Sequence, residues 1–301
     1  ADHRAEVERA LEIKKIGNEI LELVGGRAIH PINVKVGGFY RVPAPRALRE
    51  LREKLLRGRD LAEAVIPWVA GLDYPDQEMD YELVSVAHPT EYPVLGARVG
   101  SDRGLDIDVA DFLGHVEEYQ VEHSTALHAR VLARGRYLVG PLARYTLHSP
   151  KLTPMALAAA HDAGLGTECR NPFKSIIVRA VEVLHAFDTA IAIIDDYVEP
   201  EHPSVPVEPR EGEGHGVSEA PRGLLYHRYR FDAEGTVTDA VIVPPTSQNQ
   251  PSIENDLRHF VERNLDLDDE ELRQRAEVTI RNHDPCISCS THFLDLTIDR
   301  Q

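Results

Sequence analysis

The amino-acid sequence predicts a mainly α fold with minor β structure. Apolar residues recur at helical spacing in several long segments, one pair of alternating segments flanks a tight turn, and the other β-like runs are few and short. We therefore expect a helical bundle with a peripheral hairpin and short strands, built as a single domain over residues 1–301.

Seven segments are predicted to be helices, and several are bounded by residues that begin or end helices. Gly25 and Gly26 follow the first segment, because glycine accepts the left-handed φ of a helix C-terminus. Asn171 can cap the fifth with Pro172 in its first turn, and Asp268 and Asp269 lie at the N-terminus of the last, where the helix dipole favours acidic residues. The predicted helices cover residues 5–24, 45–69, 109–132, 154–163, 172–197, 252–264 and 268–281.

The clearest β structure is predicted in the last third of the chain. Residues 223–231 and 236–243 alternate like paired strands, and the turn residues 232–235 join them. Residues 198–216, rich in Pro, Glu and Gly, are predicted to be a loop. Shorter strands are predicted over residues 33–36, 81–86 and 92–99.

The chain is strongly acidic. Lys and Arg number 33 against 50 Asp and Glu, which gives a net charge of −17. Such a charge repels nucleic acid and anionic membrane surfaces. No apolar run reaches the ~18 residues of a membrane-spanning helix. We therefore predict a cytoplasmic protein that binds neither nucleic acid nor membrane.

Only three cysteines are present, which argues against a disulfide framework. Cys286 and Cys289 form a Cys-x-x-Cys motif, and His292 follows at the same spacing. Two thiolates and an imidazole so arranged can bind nickel, iron or zinc. From the spacing alone, half of a zinc site and a redox pair stay open. Cys169 is expected to be a small buried residue, although it could complete a zinc site.

The segment from Asp284 to Cys289, with His292, resembles the closing motif of nickel–iron hydrogenase large subunits. Five further segments resemble the same family in the same order, and their pattern is closest to its cytosolic, multimeric group of NAD(P)-linked enzymes and sulfhydrogenases. These segments are residues 25–31 with 37–39, residues 122–124, residues 139–144, residues 219–223 and residues 245–249.

The resemblance implies a fold built around a buried nickel–iron centre. Cys286 is then a terminal nickel thiolate, and Cys289 bridges nickel and an iron that carries carbon monoxide and cyanide. Arg222 is implied to lie above the metals, where its guanidinium can polarise hydrogen. Asp284 is implied to orient Arg222.

Three other residues receive roles from the same resemblance. Pro221 and Thr246 are implied to contact the cofactor, with Thr246 hydrogen-bonded to a cyanide. His292 is implied to bind magnesium or a similar hard ion, together with the backbone carbonyl of Gln250.

The implied reaction is the reversible heterolytic cleavage of H2 to protons and electrons. Electrons must leave through an iron–sulfur small subunit, because this chain has no cysteines left for clusters of its own. NAD(P) would bind on further, diaphorase-type subunits, since no Gly-x-Gly-x-x-Gly is present. A maturation protease and chaperones are also implied partners.

The resemblance is incomplete at both ends. The family carries a second Cys-x-x-Cys and a functional glutamate near its N-terminus, and this sequence has neither before Cys286. We favour a missing upstream segment, because the chain opens at Ala1 without Met. A separate polypeptide and a lost metal are the alternatives, and the retained Cys286, Cys289 and Arg222 argue against the last. Residues 293–301 are a possible maturation tail.

Taken singly, the site residues have simpler explanations. Arg222 with Glu219 is readable as a surface ion pair, Asp284 as a turn residue and His30 as a hydrogen-bonded core histidine. For the whole chain, the alternatives are a non-catalytic hydrogenase-like scaffold, a hydrogen-sensing subunit or a zinc-stabilised domain. The third predicted helix carries three histidines that are expected to be solvated or to take part in helix packing: His115, His123 and His128.

Overall fold

The structure is a computed structural model that describes residues 3–285. Cys286, Cys289, His292 and the tail at residues 293–301 lie outside the described residues. The chain divides into two compact units. Unit 1 contains residues 1–72, 153–164 and 179–209, and unit 2 contains residues 73–152, 165–178 and 210–301. The single-domain expectation stays a prediction.

Helices dominate the described residues, which confirms the predicted mainly α fold. No helix in residues 3–285 is long and apolar enough to cross a membrane. The helices are α1 (Arg4–Gly25), α2 (Pro45–Ala70), α3 (Phe112–His115), α4 (Pro141–His148), α5 (Pro154–Asp162), α6 (Ser175–Asp195), α7 (Pro245–Arg263) and α8 (Asp269–Arg281).

The strands are short, and every pair is antiparallel. They are β1 (Val34–Lys35), β2 (Gly38–Phe39), β3 (Val84–Ala87), β4 (Leu95–Gly96), β5 (Arg98–Ser101), β6 (Asp106–Asp108), β7 (Val116–Tyr119), β8 (His128–Val131), β9 (Gly212–Ala220), β10 (Gly223–Phe231) and β11 (Val237–Val243). The largest sheet has the order β11-β10-β9-β4, and the others are β3-β5-β6, β7-β8 and β1-β2.

Unit 1 is built on the long helices α1 and α2. Helix α1 ends as predicted, because Gly26 has φ 86° and its N–H donates to the carbonyl of Glu22 at 3.1 Å. Gly58 of α2 lies beside Phe187 of α6: a Cβ on Gly58 would lie 2.5 Å from the ring of Phe187. The missing side chain therefore makes room for the aromatic ring.

Unit 2 contains the largest sheet and the hydrophobic core beneath it. The inward residues of β9, β10 and β11 are buried, among them Val217, Leu224 and Val243. The ring of Phe112 stacks on that of Tyr226, with centroids 4.4 Å apart. This core supports the hairpin β9–β10, whose turn carries the predicted site arginine.

The predicted long helix over residues 109–132 is wrong. These residues form a 3-10 turn, the single-turn helix α3 and the hairpin β7–β8. Val116 and Val131 face each other across that hairpin and are both buried in the core. β-Branched residues pack well on a pleated surface, and this tertiary packing overrides the helical spacing. His128, expected to be solvated or packed on a helix, is buried on β8.

Two predicted boundaries also shift. The loop predicted to end at residue 216 ends where β9 begins at Gly212, and β9 pairs with β10 over its whole length. Glycine occupies every second position in the first half of β9, so the alternation of polar and apolar side chains that indicates a strand is absent there. Helix α7 begins at Pro245, not at residue 252, because proline is favourable in a first helical turn.

Candidate metal centre

Arg222 lies in the two-residue turn between β9 and β10. Ala220 and Gly223 are directly opposite each other, so Pro221 and Arg222 form the connection. Gly223 has φ 136°, in the region that favours glycine. The hairpin therefore presents Arg222 at its end within unit 2.

A buried ion pair holds this turn. Arg144 of α4 donates to the carboxylate of Glu219 at 2.9 Å, and their side chains are 6% and 3% exposed. The same guanidinium donates to the carbonyls of Ala220 at 2.9 Å and Pro221 at 3.0 Å. Glu219 also accepts a hydrogen bond from the backbone N–H of Val86 at 2.8 Å. Arg144 thus fixes both the carboxylate and the backbone that precedes Arg222.

Glycines allow the segment before α4 to approach the turn closely. A Cβ on Gly140 would lie 2.5 Å from the carbonyl oxygen of Arg222, and one on Gly223 would lie 2.5 Å from the side chain of Val139. Gly140 also has φ 107°. Only glycine fits both positions without moving the backbone beside Arg222.

The first turns of α7 are hydrogen-bonded to the segment before α4 and to β10, next to the turn at Arg222. Asn249 is buried and accepts a hydrogen bond from the N–H of Val139 at 2.8 Å while donating to its carbonyl at 3.1 Å. Gln248 donates to the carbonyl of Leu224 at 2.6 Å. Thr246 is half-buried one residue after the start of α7. The three segments at 139–144, 219–223 and 245–249 are therefore tied together.

The structure brings Arg222 and Asp284 together. The Nε atom of Arg222 lies 3.4 Å from a carboxylate oxygen of Asp284 and also donates to the Asp284 backbone carbonyl. Asp284 has φ 48°, and its N–H donates to the carbonyl of Arg281 at the end of α8. Asp284 is two residues before Cys286, so Arg222 reaches the backbone that leads directly to the cysteine pair.

Buried polar groups anchor the end of α8. Ser175 donates to the carbonyl of Asn282 at 2.6 Å. Nε2 of His283 lies 2.9 Å from Oδ2 of Asp256, and Tyr81 donates to the same oxygen. Burial, together with the Asp256 carboxylate, raises the pKa of Tyr81 well above its usual value. The chain before Pro285 is therefore held by two independent contacts.

The group formed by Tyr81, Asp256 and His283 was not predicted from the sequence. Asp256 shares an apolar stripe of α7 with Ile253 and Phe260, at spacings of three and four residues. An acidic residue on a buried stripe indicates an internal partner. That partner was not identifiable, because Tyr81 is 175 residues away in the chain.

Three single-residue interpretations can be compared with the structure. Glu219 is buried against Arg144, so its surface ion pair with Arg222 is wrong. His30 is exposed, which contradicts a core histidine. Cys169 is 5% exposed, which confirms a small buried residue, and burial raises the pKa of its thiol.

The described residues fit a thiolate-bound metal with anionic ligands. Within residues 3–285, the two terminal nitrogens of Arg222 make no hydrogen bond. These positively charged N–H donors are therefore available beside Asp284, two residues before Cys286. Guanidinium donors suit an anionic ligand on a metal. Pro221, Thr246 and Asp284 belong to the same unit, while Cys286, Cys289 and His292 lie outside the described residues.

Comparison with known proteins gives a consistent result. Residues 140–292 match the family described as nickel-dependent hydrogenase. The chain is 30% identical to the sulfhydrogenase 1 subunit alpha of Pyrococcus furiosus, covering 98% of this chain and 69% of that protein. It is 29% identical to the NAD-reducing hydrogenase HoxS subunit beta of Cupriavidus necator, and the match covers 96% of this chain and 66% of that protein.

A solved structure has the same fold. An NAD+-reducing NiFe-hydrogenase in the H2-reduced state superposes with a TM-score of 0.83 at 24% identity, covering 96% of this chain and 69% of that chain. The chain thus spans 66–69% of the length of these relatives.

Proposed function

This chain belongs to the nickel-dependent hydrogenase family, and we propose that it is the large-subunit part of an enzyme that cleaves H2 reversibly into protons and electrons. The observation that carries this proposal is the contact between Arg222 and Asp284, two residues before Cys286. Three chain segments are hydrogen-bonded around the turn that presents this arginine.

The cysteine pair supplies half of the proposed ligand set. Cys286 and Cys289 would hold the nickel–iron centre, because thiolates suit both metals. The family resemblance would make Cys286 a ligand of nickel alone and Cys289 a ligand of both metals. When bound, the nickel–iron centre supplies the Lewis-acidic site at which H2 is split heterolytically. We propose that the other two thiolates come from outside residues 1–301, so that this chain contributes one side of the centre.

Arg222 is proposed to act as a fixed cation over the metals. Its Nε is engaged by Asp284, and its two terminal nitrogens have no partner among the described residues. Those nitrogens can donate to a cyanide on iron and polarise the approaching H2. Asp284 holds the guanidinium plane in one orientation and balances part of its charge.

The remaining contacts are proposed for the diatomic and hard-ion ligands. The hydroxyl of Thr246 can donate a hydrogen bond to a second cyanide, and Pro221 can pack against the ligands of the centre. His292 and the backbone carbonyl of Gln250 are proposed to bind magnesium or a similar hard cation. Each assignment depends on the cysteine pair lying beside the turn at Arg222.

Partners are proposed from the ligands that this chain lacks. An iron–sulfur small subunit must receive the electrons, since only Cys169 remains outside the proposed centre and it is buried. Diaphorase-type subunits would connect that subunit to an acceptor, and a maturation protease with chaperones would load the metals. We propose a cytoplasmic location, where thiolates stay reduced.

Hydrogen isotope exchange tests the reaction without an electron acceptor. The complex, purified anaerobically with its partner subunits, is exposed to H2 in deuterated water, and HD is measured by mass spectrometry. We expect steady HD formation, abolished by Cys286→Ser and unchanged by Cys169→Ser. Complex that contains nickel and iron but forms no HD would favour the non-catalytic scaffold or sensor. Complex that contains zinc would favour the zinc-stabilised domain.

A further inference from the structure

Two histidines and a glutamate come together in unit 2 and form a cluster that the sequence did not predict. His128 begins β8, His123 lies in the connection from β7 to β8, and Glu254 is on α7. Nε2 of His128 lies 2.8 Å from Oε1 of Glu254. Nε2 of His123 lies 3.2 and 3.3 Å from the two carboxylate oxygens. Their ligand atoms all lie within 4.8 Å of one another.

The backbone fixes which nitrogen of His128 carries a proton. Nδ1 of His128 is 3.2 Å from the carbonyl oxygen of Ala126, which can only accept, so Nδ1 must donate. The N–H of Ala126 donates to Oγ of Ser124 at 3.1 Å, which holds this loop in place. In the neutral ring, Nε2 therefore carries a lone pair.

That lone pair faces a carboxylate oxygen, so two acceptors lie 2.8 Å apart. A cation must lie between them for the contact to be favourable. It is either a second ring proton or a metal ion. Metal-ligating histidines commonly donate their other N–H to a backbone carbonyl, which is the arrangement of His128 with Ala126.

We propose that His123, His128 and Glu254 form a binding site for a divalent transition-metal cation of the zinc, nickel or cobalt class. Two imidazoles and one carboxylate suit these borderline metals, and a water can complete a tetrahedron. Ligand atoms about 2.0 Å from such a metal are separated by roughly 3.3 Å. The observed separations between histidine nitrogens and carboxylate oxygens are 2.8 to 3.3 Å, close to this value. Small side-chain shifts that lengthen the shortest of them would therefore make room for the metal.

Burial and charge favour a cation at this place. His128 is 2% exposed and Glu254 is 34% exposed, while His123 is 65% exposed and leaves a path for the ion. Carboxylates such as that of Glu254 are ordinarily charged at neutral pH. The net charge of the chain, −17, adds a general attraction for cations.

A metal at this site would join the β7–β8 hairpin to α7. The carboxylate of Glu118 on β7 already accepts a hydrogen bond from Ser247 at 2.6 Å, so these elements are in contact near the start of α7. The first turn of α7 carries Thr246, and its second carries Asn249, which holds Val139. The proposed ion would thus stabilise the helix that supports the turn at Arg222.

Cobalt(II) titration of the full 301-residue chain distinguishes this site from the cysteine pair. Thiolate ligands produce a near-ultraviolet sulfur-to-cobalt charge-transfer band, and histidine and carboxylate ligands do not. In a Cys286→Ser, Cys289→Ser background, we expect one bound cobalt with visible d–d bands and no charge-transfer band. Zinc should displace it and raise the thermal midpoint of unfolding.

Variants of the three ligands complete the test. In that background, His123→Ala and Glu254→Gln should weaken cobalt binding more than the roughly 10–100-fold lost with a supporting residue. His115→Ala, an exposed histidine outside the cluster, should bind as tightly as the parent. His123 is exposed, so its variant keeps the fold testable by circular dichroism. No cobalt binding in the background, or equal binding by His123→Ala and the parent, would overturn the proposal in favour of an imidazolium–carboxylate pair.

Discussion

Arg144 and Glu219 form an ion pair across 2.9 Å with almost no solvent exposure. The guanidinium also donates to the carbonyls of Ala220 and Pro221, so one side chain holds both the charge and the backbone of the turn. Removing one partner of such a pair leaves a buried charge without compensation. The pair is therefore a positioning device for Arg222, and its removal should be detectable in both stability and activity.

Arg144→Met is expected to lower the free energy of unfolding by roughly 3–5 kcal/mol, because Glu219 would be buried and unpaired. Urea denaturation followed by circular dichroism measures the change. Arg98→Met is the matched control, because Arg98 pairs with Asp106 at 2.7 Å with both side chains exposed. That variant should change stability by at most about 1 kcal/mol. Equal effects of the two substitutions would show that the buried pair has no special role.

Gly140→Ala is expected to destabilise the protein by roughly 3 kcal/mol or more, because a positive φ is combined with a clash at the Arg222 carbonyl. Gly135→Ala separates the two causes. Gly135 has φ 92° but nothing within 4 Å of an added Cβ, so its cost should be about 1–2 kcal/mol. Thermal unfolding of both variants gives the comparison. Matching losses would contradict a close approach at Gly140.

Arg222→Lys is expected to lower the rate of HD formation about 100-fold. The compact ammonium group of lysine cannot replace the planar set of N–H donors on the guanidinium. Arg222 is 37% exposed, so stability and metal content should be almost unchanged. Arg230→Lys is the control on the same hairpin, since Arg230 is exposed and pairs with Glu213 at 2.7 Å. An Arg222→Lys complex with the parental exchange rate would rule out the proposed role of this guanidinium.

His148 should make the protein less stable in mild acid. Burial, reinforced by the charge of Lys151, lowers the pKa of His148 from 6.5 to about 4, against a backbone hydrogen bond at Val86 that raises it. Between pH 6.5 and about 4, the unfolded chain therefore binds a proton that the folded protein does not, and stability falls as the pH falls. At pH 5 the contribution is about 2 kcal/mol.

The measurement is the difference in unfolding free energy between pH 7 and pH 5. His148→Gln should show a smaller fall than the parent, because glutamine does not titrate. His161→Gln, at a side chain that is 89% exposed, should fall as the parent does. The same pH dependence in parent and His148→Gln would remove His148 as the cause.

The sequence was sufficient to predict the elements that local patterns determine. Helix α1 ends at its glycines, Asn171 accepts a hydrogen bond from the N–H of Phe173, and Asp268 and Asp269 lie at the N-terminus of α8 as expected. The hairpin β10–β11 has the predicted turn. These features depend on residues close together in the chain, so a single sequence contains the information.

Features that depend on distant residues were not predictable in the same way. Arg144 and Glu219 are 75 residues apart, and no local pattern connects them. The hairpin β7–β8 forms because its valines reach a core built from other segments. His123 and His128 meet on Glu254 only because that hairpin replaces the predicted helix. In each of these cases tertiary contacts determined the structure, and the local spacing of residues did not predict it.

We propose that Cys286 and Cys289 hold a nickel–iron centre beside Arg222. The most direct measurement combines metal analysis with infrared spectroscopy of the complex purified anaerobically with its partner subunits. We predict one nickel per complex, iron in excess of nickel because the small subunit holds iron–sulfur clusters, and stretching bands of carbon monoxide and cyanide that vanish in Cys289→Ser. Cyanide bands should shift in Arg222→Lys, whose guanidinium donors are lost. Zinc in place of nickel, or a complex without nickel and without those bands, would rule out this assignment.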